Sequence, residues 1–259
     1  MKKKQTAIIT GAGRGIGRGI AEKLASKGFN CILISRTDKE IKQVTKKIIK
    51  KGGIASFLTC DIIDPSSVKE MVDQVISRHE HIDVLVNSAA SGPAIGPSED
   101  LNIEEWKRVI DTDLTGTFIV CKEVGKQMIK SKYGRIVNIS SFHSVATYPQ
   151  RAAYAAAKTG VIGLTRALAV EWAKYKITVN AVSPGPIKTP RTNWFLSLDP
   201  KSESRMLART PLVRLGKVND VSTAIEFLTS KDAGFVTGQN IVIDGGWLSS
   251  AWFGSYNTN

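Results

Sequence analysis

The chain has 259 residues, of which 42% are hydrophobic and 23% are charged. This length and composition fit one large α/β core, and no Pro/Gly/Ser-rich linker interrupts the sequence, so we expect a single domain over residues 1–259. The formal net charge is +13 at pH 7, so the surface should attract anions. The lysines are scattered along the chain and are not gathered in an arm with interleaved aromatic residues. This distribution favours a solvated basic surface and argues against a dedicated nucleic-acid-binding site.

Short apolar runs alternate with longer amphipathic segments along the chain. The runs predict strands at residues 6–10, 31–35, 54–59, 84–87, 135–139, 178–182 and 240–244. The segments between them predict helices at residues 16–27, 39–51, 66–79, 104–130, 152–174 and 219–229. Continuous apolar strands joined by helices indicate a parallel sheet covered on both faces. The predicted fold class is therefore α/β, a doubly wound, Rossmann-type sheet of about seven strands whose ligands bind beyond the carboxyl ends of the strands.

The cysteines and the hydropathy pattern bear on the compartment. Cys31, Cys60 and Cys121 are odd in number and lack paired spacing, which favours reduced core residues and a cytoplasmic location. No uninterrupted apolar run reaches the roughly eighteen residues of a membrane span. No cluster of His, Cys and carboxylate residues has metal-ligand spacing, so we predict no membrane segment and no metal.

The first predicted strand leads into a glycine-rich turn at residues 10–17, just before an amphipathic helix. A dinucleotide pyrophosphate needs a tight turn, close backbone approach and a free helix N-terminus. Gly11, Gly15 and Gly17 meet these needs, although their spacing is Gly-x-x-x-Gly-x-Gly. The turn therefore predicts a nucleotide-binding loop that includes Arg14 and Ile16.

In NAD-binding sites of this kind, an acidic residue at the end of the second strand holds a hydroxyl of the adenosine ribose. This chain has Ser35 and Arg36 at that position and lacks the acid. Arg36 can pair with a 2′-phosphate, and Arg14 can reach the same group. The sequence thus favours NADP (NADPH) over NAD. Asp38 is the alternative ribose ligand, but it lies past the strand end and better fits a helix cap.

Three side chains describe a proton relay. Tyr154 and Lys158 are four residues apart on a predicted helix, so the phenol and the ammonium project from one face. The ammonium favours the phenolate form, which makes a tyrosine usable as a general acid or base near neutral pH. Ser141 follows the fifth predicted strand, where its hydroxyl would orient a carbonyl oxygen. Together with the glycine turn they predict a nicotinamide-dependent oxidoreductase.

These motifs make the chain resemble the short-chain dehydrogenase/reductase family over essentially its whole length. The resemblance also includes Asp61, residues 87–90, residues 184–189 and residues 243–246. It implies that Asp61 contacts the adenine amino group with Ile62 beside the ring, and that Asn87 and Ala89 flank the ribose. It further implies that Lys158 binds the nicotinamide ribose. The remaining implied cofactor residues lie after the sixth predicted strand: Pro184, Gly185, Ile187 and Thr189.

The chain departs from the family at Asp113, where the family usually has an asparagine that kinks a helix and seats a water of the proton relay. Asp113 could support that water, pair with Lys158, or act as a catalytic group. This departure and the unusual residues 87–90 resemble the dienoyl-coenzyme-A reductase branch, which reduces a conjugated C=C bond. That branch lacks the tyrosine, whereas this chain keeps Ser141 and Tyr154, so carbonyl/alcohol chemistry ranks first.

The substrate is either a small molecule or an acyl thioester, namely a 3-oxoacyl carrier protein or an enoyl/dienoyl-coenzyme A. A non-catalytic nucleotide-binding protein is the alternative from another class. His143 could line the substrate cleft or be an ordinary loop residue, and residues 194–196 could form an apolar lid or a helix that packs onto the core. By resemblance, the long helices at residues 104–130 and 152–174 and the apolar tail around Trp247 and Trp252 form the interfaces of a homotetramer.

Overall fold

The structure is a computed structural model and describes residues 4–251. Seven parallel strands form one sheet with the order β3-β2-β1-β4-β5-β6-β7. The strands are β1 (Thr6–Thr10), β2 (Asn30–Ser35), β3 (Ile54–Thr59), β4 (Val84–Asn87), β5 (Gly134–Ile139), β6 (Ile177–Pro184) and β7 (Asn240–Ile243). The predicted α/β, doubly wound architecture is confirmed, and the strand ends differ from the predicted ones by at most a few residues.

Helices cover both faces of the sheet. They are α1 (Gly15–Ser26), α2 (Asp38–Lys50), α3 (Pro65–His79), α4 (Ile103–Ile110), α5 (Gly116–Ser131), α6 (Ala152–Trp172), α7 (Pro190–Ser197), α8 (Ser202–Ala208) and α9 (Val218–Thr229). One apolar cluster packs α1, α2 and α9 against one face, and a second packs α3, α5 and α6 against the other. Because both faces are covered, strands such as β1 and β6 are buried at every residue.

Two predictions about helices were wrong, at residues 104–130 and at Asp38. Residues 104–130 are not one helix, since a π-helical turn, Asp111–Thr115, separates α4 from α5. Residues 194–196 lie in α7, so the helix is the one of the two alternatives that the structure contains, whereas α8 was not predicted. Asp38 is the first residue of α2 rather than its cap, which is Thr37.

The three cysteines are buried and unpaired. Within residues 4–251, none of the helices combines the length and the apolar character needed to cross a membrane. In the same part of the chain, no group of three or more His, Cys, Asp or Glu side chains is placed to hold a metal ion. Trp252 lies outside the described residues.

Candidate active site

A cleft of about 680 Å³ opens at the carboxyl ends of the strands. The strand order reverses there, because β1 pairs with β2 on one side and with β4 on the other. This is the position at which doubly wound sheets bind their ligands, and the volume lies in the range of small-molecule sites. The cleft brings together every predicted cofactor residue except Asn87, and it also includes Ser141, Tyr154 and Lys158.

The glycine turn between β1 and α1 forms one wall of the cleft. Gly11 has φ +64°, and a Cβ there would lie 2.7 Å from the Ala89 Cα. A Cβ on Gly17 would collide with the carbonyl oxygen of Gly11. Helix α1 begins without a side-chain cap and has no acidic residue in its first turn. The backbone of the turn can therefore come close to a ligand, and the N–H groups at the positive end of α1 are free to bind one. Both properties suit a dinucleotide pyrophosphate.

Charged side chains lie at the glycine-turn end of the cleft. Arg36 Nη1 lies 3.9 Å from Asp61 Oδ2, and these side chains are 63% and 39% exposed. Such a long, exposed pair contributes little stability and leaves the guanidinium free to move toward an anion. The sequence reasoning missed Glu40 of α2, whose side chain covers Gly13: a Cβ on that glycine would lie 2.8 Å from the Glu40 Cβ.

Asn87 lies behind the cleft wall rather than in it. Its side-chain amide donates to Asn138 Oδ1 at 2.9 Å, and the residue is 4% exposed. The adjacent backbone is tied to β1, since Thr10 Oγ1 accepts from the N–H groups of Ser88 and Ala89 at 3.0 and 3.2 Å. The structure thus places Ala89 at the cleft and the Asn87 side chain in the interior.

The candidate relay lies where β5 meets α6. Lys158 Nζ donates to the Ile139 carbonyl at 3.1 Å and lies 5.6 Å from the ring centroid of Tyr154. Ser141 Oγ accepts from the His143 N–H at 3.2 Å, so its own proton remains available to a carbonyl oxygen. Ser140 Oγ donates to the Lys158 carbonyl at 2.8 Å, which fixes α6 against the end of β5.

Asp113 lies in the π-helical turn and is fully buried. Its Oδ2 lies 3.3 Å from Lys158 Nζ, and its Oδ1 accepts from the Ser91 N–H at 2.8 Å and from Ser91 Oγ at 3.1 Å. A buried carboxylate is tolerated only with such partners. The π-helical turn widens the helix at this residue, a distortion that is frequent at functional sites. Of the arrangements left open by the sequence, the structure contains the pairing with Lys158.

Aromatic side chains form the other end of the cleft. The His143 ring lies 5.6 Å from the Tyr154 ring and 5.0 Å from the Tyr148 ring, measured between centroids. Burial, and then the charge of Arg151, lower the pKa of His143 to about 4. His143 is therefore neutral at physiological pH and lines the cleft.

Helix α7 borders the aromatic end of the cleft. Its cap is Thr189, whose Oγ1 accepts from the Thr192 N–H at 3.2 Å, and Pro190 follows at the first helical position. A threonine cap followed by proline is a helix-start signal that the sequence reasoning missed. Trp194 and Phe195 of this helix line the cleft, and Trp194 is 58% exposed.

The chain is similar to known proteins along nearly its whole length. A family model described as enoyl-(acyl carrier protein) reductase matches residues 11–248. A 3-oxoacyl-[acyl-carrier-protein] reductase of Staphylococcus aureus is 38% identical over 252 residues, covering 95% of this chain and 99% of the relative.

Solved structures share both the fold and part of the sequence. A structure from Agrobacterium tumefaciens, provisionally assigned as a gluconate dehydrogenase, has a TM-score of 0.92 and 36% identity, covering 95% of this chain and 96% of that one. A variant of actinorhodin polyketide ketoreductase with NADPH has a TM-score of 0.91 and 33% identity, covering 95% of this chain and 98% of that one.

Proposed function

The chain belongs to the short-chain dehydrogenase/reductase family of NAD(P)-dependent oxidoreductases, and on this premise we propose that it is an NADPH-dependent reductase of carbonyl groups. One observation carries the proposal: Ser141, Tyr154 and Lys158 line the same cleft as the glycine turn. A proton relay and a dinucleotide loop then serve one reaction centre.

Each relay residue has a distinct task. The Ser141 hydroxyl donates to the substrate oxygen and orients the carbonyl. The Tyr154 hydroxyl gives its proton to that oxygen during reduction and takes it back during alcohol oxidation. The Lys158 ammonium, held by the Ile139 carbonyl, stabilises the phenolate that remains. When bound, the nicotinamide supplies or accepts the hydride at the carbonyl carbon.

The cofactor preference is proposed from the charges at the glycine turn. Arg36 and Arg14 both line the cleft and can share a 2′-phosphate, while Ser35 offers no carboxylate to a ribose hydroxyl. Asp61 and Glu40 oppose this arrangement, but the contact of Asp61 with Arg36 is long and exposed, so the guanidinium can move toward a phosphate. The similarity to the polyketide ketoreductase with NADPH points the same way.

Other residues that line the cleft would hold the pyrophosphate, the adenine and the nicotinamide of the cofactor. Gly11, Gly15, Ile16 and Gly17 would hold the pyrophosphate, and Ile62 and Asp61 would flank the adenine. Pro184, Gly185, Ile187 and Thr189 also line the cleft and would hold the nicotinamide. Lys158 would reach the nicotinamide ribose, although its pairing with Asp113 restricts this movement.

An acyl-thioester substrate is the second candidate. The 38% identity to the 3-oxoacyl-[acyl-carrier-protein] reductase favours it, and the net charge of +13 suits an acidic carrier or a phosphorylated coenzyme. Reduction of a conjugated C=C bond is a further candidate because of the carboxylate of Asp113.

The proposal is tested by turnover. NADPH oxidation should be measured with a panel of ketones, sugars, steroids and acyl thioesters. Tyr154→Phe should abolish ketone reduction while leaving NADPH affinity nearly unchanged, because only the ionisable hydroxyl is removed. Lys158→Ala should weaken both binding and turnover, since it is assigned two roles. Near-normal ketone reduction by Tyr154→Phe would exclude the proposed acid.

We also propose that the chain forms a homotetramer. Large apolar side chains are exposed on elements that the family resemblance assigns to interfaces: Phe118 of α5 is 44% exposed and Val170 of α6 is 81% exposed. Phe235, which precedes β7, is fully exposed. Burying such side chains against a second copy would remove apolar surface from water.

A further inference from the structure

The aromatic end of the cleft contains a buried arginine without a counter-charge. Arg151 is 7% exposed and lines the cleft. No carboxylate oxygen in residues 4–251 lies within 4.0 Å of its guanidinium. Its Nη1 donates to the Gln150 carbonyl at 3.0 Å, while Nε and Nη2 donate to no side chain or backbone group of the described residues. One edge of the guanidinium, with two N–H donors, is therefore unused.

The charge of Arg151 has no anionic partner among the described residues. A buried cation normally has an anionic partner, and burial lowers the pKa of this guanidinium. Arginine nevertheless stays protonated at physiological pH. The preceding residue, Gln150, holds a left-handed conformation with φ +65°. Strain of this kind is kept only where the surroundings fix it, and it is frequent in ligand-binding segments.

The neighbourhood of Arg151 favours an anion. Arg151 is the N-terminal cap of α6, which begins with no side-chain cap bond and no acidic residue in its first turn. The helix end therefore adds a positive potential to that of the guanidinium. His143 is neutral here, as its pKa of about 4 requires. The carboxylates that line the described cleft belong to Glu40 and Asp61, both at the glycine-turn end.

We propose that Arg151 binds a carboxylate on the substrate, so that the chain reduces short oxo acids rather than neutral ketones or oxoacyl thioesters. This inference rests on the proposed function. Arg151 and Tyr154 line the same cleft. The His143 ring lies 5.6 Å from the Tyr154 ring between centroids, and the charge of Arg151 contributes to the lowered pKa of His143. The anionic group then lies only a few bonds from the carbonyl that takes the Tyr154 proton. The two free N–H groups suit bidentate binding of a carboxylate.

A purely structural role for Arg151 predicts different behaviour. The guanidinium carbon lies 5.4 Å from the Phe195 ring centroid, so a cation–π contact could hold α7 in place. In that case, losing the arginine would affect charged and neutral substrates equally. If Arg151 binds the substrate, only the charged substrate loses a partner.

The test compares matched substrates that share one reacting carbonyl. NADPH-dependent kcat/KM should be measured for acetoacetate and ethyl acetoacetate, in wild type, Arg151→Gln and Arg151→Lys. Dihydroxyacetone phosphate and dihydroxyacetone form a second pair that distinguishes a phosphate from a carboxylate. Arg209→Gln is the matched control, because Arg209 is exposed, stacks 4.6 Å from the Trp247 ring centroid, and does not line the cleft.

We expect wild type to prefer acetoacetate over its ester, and Arg151→Gln to lower the ratio of the two kcat/KM values by at least about 30-fold. Arg151→Lys should lie between, because it keeps the charge but loses the planar fork. Arg209→Gln should keep the wild-type ratio. Equal turnover of acid and ester by wild type, or an equal loss of both in Arg151→Gln, would overturn the inference. A preference confined to the phosphate pair would replace the carboxylate by a phosphate and would equally overturn it.

A binding measurement separates this inference from the proposed function. Titration calorimetry of the protein with malonate, and with uncharged malonamide as control, requires no turnover. We expect malonate to bind wild type and Arg209→Gln, and not Arg151→Gln. If no carbonyl compound is reduced but this pattern holds, the proposed function fails and the anion site stands. If ketones are reduced but malonate does not bind, the anion site fails alone.

Discussion

The ammonium of Lys158 faces the carboxylate of Asp113 across 3.3 Å, and both side chains are buried. The lysine thus has a fixed anionic partner inside the protein, in addition to the Ile139 carbonyl. Asp113 is in turn held by two donors from Ser91. The chain therefore holds Lys158, the proposed relay lysine, with a carboxylate at the position where the family resemblance leads us to expect an amide.

Removing the carboxylate should destabilise the fold. Asp113→Ala leaves the Lys158 ammonium buried without a counter-charge, so we expect the free energy of unfolding to fall by about 3–5 kcal/mol. Urea denaturation at pH 7 measures this. Asp111→Ala is the control, because Asp111 is exposed in the same π-helical turn and should change stability by no more than about 0.5 kcal/mol. Equal effects of the two changes would mean that the ion pair contributes nothing.

The change Asp113→Asn also removes the charge, but it keeps the size of the side chain and its hydrogen-bond acceptor, so it is suited to a test of catalysis. The amide oxygen can still accept from the Ser91 N–H, so we expect ketone reduction to stay within a few-fold of wild type. An essential catalytic carboxylate predicts instead a loss of at least about tenfold on an unsaturated acyl thioester. Steady-state kinetics on both substrates decides between these. Loss of thioester turnover in Asp113→Asn, with Tyr154→Phe still active, would make C=C reduction the function.

The cofactor preference should reverse at one residue. Arg36→Asp replaces a phosphate partner by a ribose-hydroxyl acceptor and repels a 2′-phosphate. The ratio of kcat/KM for NADPH to that for NADH should therefore fall by an amount equivalent to about 2–4 kcal/mol. Lys39→Asp makes the same charge change at an exposed residue of α2 that does not line the cleft, and it should leave the ratio nearly unchanged. A wild-type preference for NADH would show that Ser35 and Arg36 were misread.

The neutral state of His143 predicts a pH dependence of stability. Its pKa is about 4 in the folded chain, against an ordinary value of 6.5, so the unfolded chain binds more protons between these values. Stability should therefore fall as the pH decreases from about 6.5 to 4, with up to about 3 kcal/mol due to this residue. His143→Asn should lose that part of the slope, measured by urea denaturation at pH 7 and 4.5. Parallel curves for the two proteins would contradict the assignment.

The proposed tetramer predicts a mass of about four times 28.1 kDa by light scattering at micromolar concentration. Val170→Glu places a charge on the exposed apolar patch of α6 and should reduce the mass, whereas Ile49→Glu, at a separate exposed position on α2, should not. A monomeric wild type would refute the assembly. Trp252, which the sequence also assigned to an interface, lies outside the described residues.

Much of the fold could be predicted from the sequence because short apolar runs and helical periodicity are local properties of the chain. The apolar runs located all seven described strands, and the glycine turn located the proposed nucleotide end of the cleft. The comparisons confirm the family.

Residues 104–130 were predicted as one helix because their periodicity continues through the π-helical turn that the buried Asp113 occupies. The sequence reasoning missed Arg151, because arginine is ordinarily a surface residue and its burial depends on the packing around it. It missed the position of Glu40 because that depends on how α2 packs over the glycine turn.

The position of β1 also constrains the order of folding. This strand precedes both of its neighbours in sequence but lies inside the sheet, and its partner β4 begins far along the chain: Asp83, just before β4, accepts from the Thr6 N–H across a separation of 77 residues. Until that segment emerges, one edge of a strand that is buried at every residue in the folded chain has no neighbour and can pair with another chain. A fragment of residues 1–80 should therefore aggregate, whereas the chain of residues 1–259 should fold slowly, as non-local parallel pairing requires.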